Sequence, residues 1–120
     1  MHNYHNLQVW QDSMAVVRSV YEIVATFPQA EKFGLVSQMT RSAVSIPSNI
    51  AEGAGRSTNK EFSHFLSIAI GSMFELETQI LIAESIGFID NAQSLSMLDN
   101  LHKLQRMSVG FMKNLEKSVS

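Results

Sequence analysis

The sequence predicts an all-α protein, an up-and-down antiparallel four-helix bundle forming one domain over residues 1–120. Three observations carry this. Apolar residues recur at helical spacing through four long segments. Each break between segments holds Pro, Gly or a capping pair within a few residues. With 45% hydrophobic residues but only 2 Pro and 6 Gly, the composition suits long helices and leaves little for strands and turns. A chain of 120 residues buries roughly two-thirds of its unfolded surface, so one core suffices.

The first helix is expected over 7–27, where Val9, Trp10, Met14, Val17, Val20, Tyr21, Val24 and Phe27 share one side, opposite Gln11, Arg18, Glu22 and Thr26. Asn6 is placed to cap its start, and Pro28 stops it. The run QAEKFG then leads to a second helix over 34–56, entered at Gly34.

This second helix has two unlike faces. Leu35, Val36, Met39, Ala43, Ile46, Ile50 and Ala54 take one side. Gln38, Arg41, Ser42, Ser45, Ser48, Asn49, Glu52 and Arg56 fill a stripe about 120° wide on the other. Pro47 lacks an N–H inside this pattern, so a kink is expected there. Gly53 and Gly55 end the helix.

Thr58 followed by Glu61 is a capping box, so the turn is tight and the third helix, 59–86, runs antiparallel to the second. It is apolar almost all round. One line holds Phe62, Phe65, Leu66, Ala69, Met73, Leu76, Ile80 and Ala83; a second holds Ile70, Phe74 and Leu81; a third holds Ile68, Ile82 and Ile86. A bundle helix needs one such stripe, and the surplus predicts an oligomer. Gly87 closes this helix. Asp90 with Gln93 opens a fourth over 91–117, carrying Leu95, Leu98, Leu101, Leu104, Met107, Phe111, Met112 and Leu115.

Chemistry is sparse. Without Cys there is neither disulfide nor thiolate ligand. Glu61 with His64 and Asp99 with His102, joined by Glu22 and Glu52, imitate the ligand set of a di-iron bundle. Folding the third and fourth helices about Phe88 sets the two pairs roughly 20 Å apart along the axis, so no metal site is expected. No nucleophile elbow and no phosphate-cradling loop occurs. The expectation is a non-enzymatic protein with no catalytic residue and no cofactor. Glu75, beside Gly71 and Ser72 in an apolar helix, wants a partner, and Arg41 or Arg56 is expected to pair with it.

The N-terminus shows no basic stretch leading into an apolar run, and no segment reaches 18 uncharged apolar residues. A cytoplasmic protein with no membrane contact is expected. The net charge of -2 argues mildly against general nucleic-acid binding. Charge is uneven, however: five acids and no Lys or Arg lie from Glu61 to Asp90, while Lys103, Arg106, Lys113 and Lys117 form a stripe about 80° wide with Gly110 between them. Together with Arg56 and Lys60, that stripe offers phosphate contacts to RNA or DNA.

The segments LQVW, FPQAEKFGLVSQMTRSAVSIPSNIAEGAGR and EF…FLSIAIGSMFELETQ together resemble the small bacterial proteins encoded by intervening sequences in 23S ribosomal RNA genes. The resemblance spans about residues 7–115, with SIPSNIAEG its most specific part. It is similar, too, to the accessory proteins of diversity-generating retroelements. The resemblance implies a left-handed bundle, a homopentameric ring and no catalytic activity. The retroelement relatives bind nucleic acid and a reverse transcriptase through a strongly basic surface. It also implies packing and subunit-contact roles for Arg41, Ser45, Pro47, Asn49, Glu52, Gly53, Gly71, Ser72 and Glu75. Side-chain size agrees: Ser42, Ala43, Ser45, Ser48 and Ala51 opposite Gly71 and Ser72 predict a tight contact, with Arg41, Asn49, Glu52 and Glu75 hydrogen-bonded in it. Ile70, Phe74 and Leu81 are left to meet another subunit. The function expected is a homo-oligomeric scaffold or interaction module; the alternative is a nucleic-acid-binding accessory protein.

Overall fold

Capping and stop signals divide the chain into α1 (Gln8–Val24), α2 (Leu35–Ala54), α3 (Asn59–Ser85) and α4 (Asn91–Lys117), with no strand among the described residues. The structure is a computed structural model, and it describes residues 2–117. Each helix neighbours the next, and α4 returns to α1, which makes an up-and-down bundle measuring 49 × 23 × 20 Å. α2 and α3 pack most extensively, α1 and α4 least.

α1 is shorter than its apolar pattern. The N–H groups of Thr26 and Phe27 reach back three residues to Ile23 and Val24, both at 3.1 Å, so the ladder tightens before Pro28. Asn6 does not cap α1. It lies in a 3-10 turn, Tyr4–Asn6, which Asn3 caps by accepting from the His5 N–H at 3.2 Å, and Leu7 takes the N-cap position of α1 with no side-chain bond. A second 3-10 turn, Gln29–Glu31, bridges α1 and α2.

The other signals act as read. Thr58 Oγ1 accepts from the Glu61 N–H at 3.1 Å. Asp90 Oδ1 accepts from the Gln93 N–H at 2.8 Å while Gln93 Oε1 accepts from the Asp90 N–H at 2.9 Å, satisfying two donors reciprocally. α3 ends in a Schellman turn: Phe88 N–H bonds the Ala83 carbonyl and Gly87 N–H that of Glu84. This needs Gly87 at φ +85°, where a side chain is strained.

The core is a single cluster. Val20 from α1, Met39, Ile46 and Ile50 from α2, Phe62, Leu66, Met73, Leu76 and Ile80 from α3, and Leu101 and Leu104 from α4 are all fully buried. On α1 the buried line is Val9, Ser13, Val16, Val20 and Val24, and Tyr21, expected inside, stands 53% exposed. α4 turns Ser94 and Ser108 inward and leaves Leu95 exposed. Serine suits these places because it is small; the Ser13 hydroxyl bonds the Trp10 carbonyl at 2.7 Å, whereas that of Ser108 lies buried with no hydrogen-bond partner among the described residues.

α3 has the length and apolarity of a membrane span by composition, with mean hydropathy 1.4, and 39% of that window is buried within the bundle. Its inner line is used up by the core, so what demands explanation is the remainder.

Candidate functional site

Two surfaces carry the residues singled out above. The first is the junction of α2 and α3. Ser45 and Ser72 share a hydrogen bond at 2.8 Å, Asn49 Nδ2 donates to the Ser45 carbonyl at 2.8 Å and hydroxyl at 3.0 Å, and Gln79 Nε2 donates to Ser42 Oγ at 3.1 Å. These bonds form a polar seam along an otherwise apolar contact, and they fix the register of the two helices. Near its end the helices come very close: a Cβ added at Gly53 would lie 2.8 Å from both Phe62 Cδ1 and Phe65 Cβ. α2 runs unbroken through Pro47, which is buried on the inner side next to Ile46 and takes no part in the seam.

Several expected members stand outside it. Gly71 does not meet α2; nothing lies within 4 Å of a Cβ built there, and it faces outward. Glu75 is exposed too, being turned roughly 40–60° toward solvent from Ser72 and Gln79. Among the described residues neither Glu75 nor Arg41 has an ion-pair partner; Arg56 is engaged elsewhere, meeting Glu52 at 2.6 Å and lying 4.7 Å over the Phe65 ring. Glu52 therefore belongs to a surface ion pair rather than to the seam.

Beside the seam, α3 presents its unused apolar surface. Phe74, Leu81, Ile82, Ile86 and Ile68 are 40–54% exposed. Ile70 is the correction here: at 9% exposure it joins the core instead of the outward line with Phe74 and Leu81. Gly71 and Thr78, both exposed, lie within this face and keep it low.

The second surface follows α4. Arg106, Lys113 and Lys117 line a shallow groove with Asn6, Leu7 and Gln8 at the start of α1, and no acid among the described residues lines it. Gly110 leaves its floor open. Lys103 lies one turn further along, facing the gap between α1 and α4. Lys60 is exposed at the first turn of α3.

The would-be metal pairs serve other ends. Glu61 bonds the Thr58 hydroxyl at 3.1 Å, His64 sets its ring edge-on to Phe65, and His102 meets Glu77 at 3.3 Å, where Gln105 also donates at 2.8 Å. Among the described residues no group of three or more His, Asp or Glu could hold a metal ion. Glu84 is held below the usual carboxylate range, first by the Asn91 amide at 2.9 Å and then by the Ser94 hydroxyl.

Sequence reasoning missed the N-terminal turn. The His2 N–H donates to the Ala54 carbonyl at 2.8 Å, and its ring packs edge-on against Phe62 and Phe111. The aromatic density of MHNYHNLQVW is the one signal that could have revealed it.

A polar-seamed, all-α four-helix bundle is the class these features define. The sequence matches the model of the 23S rRNA-intervening sequence protein family over residues 5–110. The chain belongs to that family. Its structure is similar to the crystal structure of a protein of unknown function from the S23 ribosomal protein family of Bacteroides thetaiotaomicron VPI-5482, with a TM-score of 0.79 and 20% identity, covering 88% of this chain and 98% of that one. At that identity the likeness speaks for the fold alone. Comparison with curated proteins finds no match.

Proposed function

We propose that the protein is a non-enzymatic cytoplasmic scaffold that assembles with copies of itself through the outward face of α3 and the adjoining strip of α2. The observation that carries this is the exposure of Ile68, Phe74, Leu81, Ile82 and Ile86 on a single helix. Large apolar side chains left exposed along one helix in this way are the usual mark of an interaction surface. Arg41 and Glu75, which have no ion partner among the described residues, are exposed at this surface and pair across the subunit contact. Five subunits in a ring is the count that the family resemblance implies.

Size-exclusion chromatography with light scattering tests this. A subunit of 13.4 kDa gives about 67 kDa for five copies. Phe74→Glu combined with Ile82→Glu is expected to return the protein to single subunits, and Arg41→Ala or Glu75→Ala to weaken assembly. A wild-type chain that stays monomeric at high concentration overturns the proposal.

A second reading has its own support: the groove lined by Arg106, Lys113 and Lys117 has no acid among its described residues and adjoins the start of α1, whose first turn has no side-chain cap and no acidic residue. Such a groove suits the phosphates of RNA or DNA. On that reading ribosomal RNA fragments shift in a salt-dependent way, and changing Lys103, Arg106, Lys113 and Lys117 to Glu abolishes the shift.

A further inference from the structure

α1 and α4 do not close on each other along their middle. Ala15 and Ser19, one turn apart on α1, bring small side chains to this contact, and on α4 Asn100 and Lys103 are exposed rather than buried against them. What remains is a cavity of about 170 Å³, open at one side. Its floor is apolar: Val16, Val20, Ile80 and Leu101 are all buried core residues, and Met97 is half-buried beside them. Its polar residues are Asp12, Ser19, Asn100 and Lys103.

Two opposite charges thus line one cavity without neutralising each other. No ion pair within 4 Å joins Asp12 to Lys103. Asp12 Oδ1 accepts from Gln8 Nε2 at 2.8 Å, and Oδ2 has no donor among the described residues. The antiparallel register sets both charges toward the same end of the cavity, since Asp12 lies at the N-terminal end of the α1 lining and Lys103 at the C-terminal end of the α4 lining.

We propose that this cavity binds a free α-amino acid with a branched aliphatic or phenyl side chain. The ammonium group meets Asp12, the carboxylate meets Lys103, and the side chain lies over Val20, Ile80 and Leu101. The size fits, because a cavity of about 150 Å³ lined by apolar side chains takes a benzene-sized guest. A pocket with an apolar floor and a few polar groups at its rim is the ordinary form of a small-molecule site between bundle helices. The charge pattern selects the class: a simple carboxylic acid meets repulsion from Asp12, a simple amine meets it from Lys103, and a zwitterion satisfies both. The site lies on the side of the bundle away from the α2–α3 face, so it does not depend on the assembly proposed above.

An NMR titration of the full chain with leucine, isoleucine and phenylalanine tests this, followed at the amides of Ala15, Ser19 and Asn100. At least one is expected to bind with a dissociation constant of about 1 mM or tighter. Isocaproate and isopentylamine, each keeping one charge, are expected to bind at least tenfold more weakly than leucine. Asp12→Asn and Lys103→Met, both on the rim, should each weaken leucine binding about tenfold. Ser19→Leu fills the cavity and is expected to abolish binding while raising the thermal midpoint; should that variant fail to fold, the rim variants decide. The proposal is overturned by the absence of shifts at about 10 mM of all three amino acids, by equal binding of the singly charged analogues, or by unchanged affinity in both rim variants.

Discussion

The α2–α3 and α1–α4 contacts use small side chains to opposite ends. At α2–α3, Gly53 is met by large rings, and the serines find hydroxyl or amide partners across the gap, so the helices close fully. At α1–α4, Ala15 and Ser19 line a void whose α4 residues Asn100 and Lys103 are exposed. Smallness permits close approach. It compels it only where the opposite helix supplies bulk or a hydrogen-bond partner.

The largest expected effect in this contrast is at Gly53. Gly53→Val places atoms 2.8 Å from Phe62 Cδ1 and Phe65 Cβ, and the Phe65 Cβ is fixed to its backbone, so the helices must separate. A loss of about 2–3 kcal/mol is expected by urea denaturation. Ala15→Val, made into the α1–α4 cavity, is expected to cost under about 1 kcal/mol. Equal losses at the two sites would break the contrast.

Gly71 sharpens it from outside. With nothing within 4 Å of an added Cβ, Gly71→Ala should stabilise the isolated subunit by up to about 1 kcal/mol through helix propensity. The same methyl group stands on the outward face of α3, so light scattering should show less assembly as the subunit itself becomes more stable.

The smallest effect belongs to Glu84. Its folded carboxyl sits below the ordinary glutamate value, held there first by the Asn91 amide, so that contact contributes stability that is present above about pH 4.5 and lost as pH falls through the folded value. Glu84→Gln should flatten the acid limb of a stability–pH curve below pH 4.5 and leave neutral pH nearly untouched.

Local signals in the sequence were legible because each acts over a few residues. Thr58 with Glu61, Asp90 with Gln93, Pro28 and Gly87 set the ends of helices through bonds among near neighbours. The inner lines of α2 and α3 were legible as well, since helical periodicity groups them without reference to any partner. What periodicity leaves open is the rotation of each helix about its own axis. A turn of some 60° separates Ser72, which bonds α2, from Glu75, which does not. The same freedom placed Ser13 inside and Tyr21 outside, moved Ile70 into the core, and turned Gly71 away from α2 while Gly53 stayed in the close contact foreseen for both. Arg56 went to Glu52 rather than Glu75 because a partner one turn away on its own helix needs no particular rotation. The cavity between α1 and α4 was invisible for a further reason: a void is a property of two surfaces together.

The N-terminal turn gives the molecule a convenient optical handle. Trp10 is the sole indole, and its ring sits edge-on to Tyr4 at 5.2 Å and to His5 at 5.4 Å. Its emission therefore senses detachment of that turn from α1, whereas circular dichroism records loss of the four long helices. Melting curves from the two signals will separate where the turn lets go first.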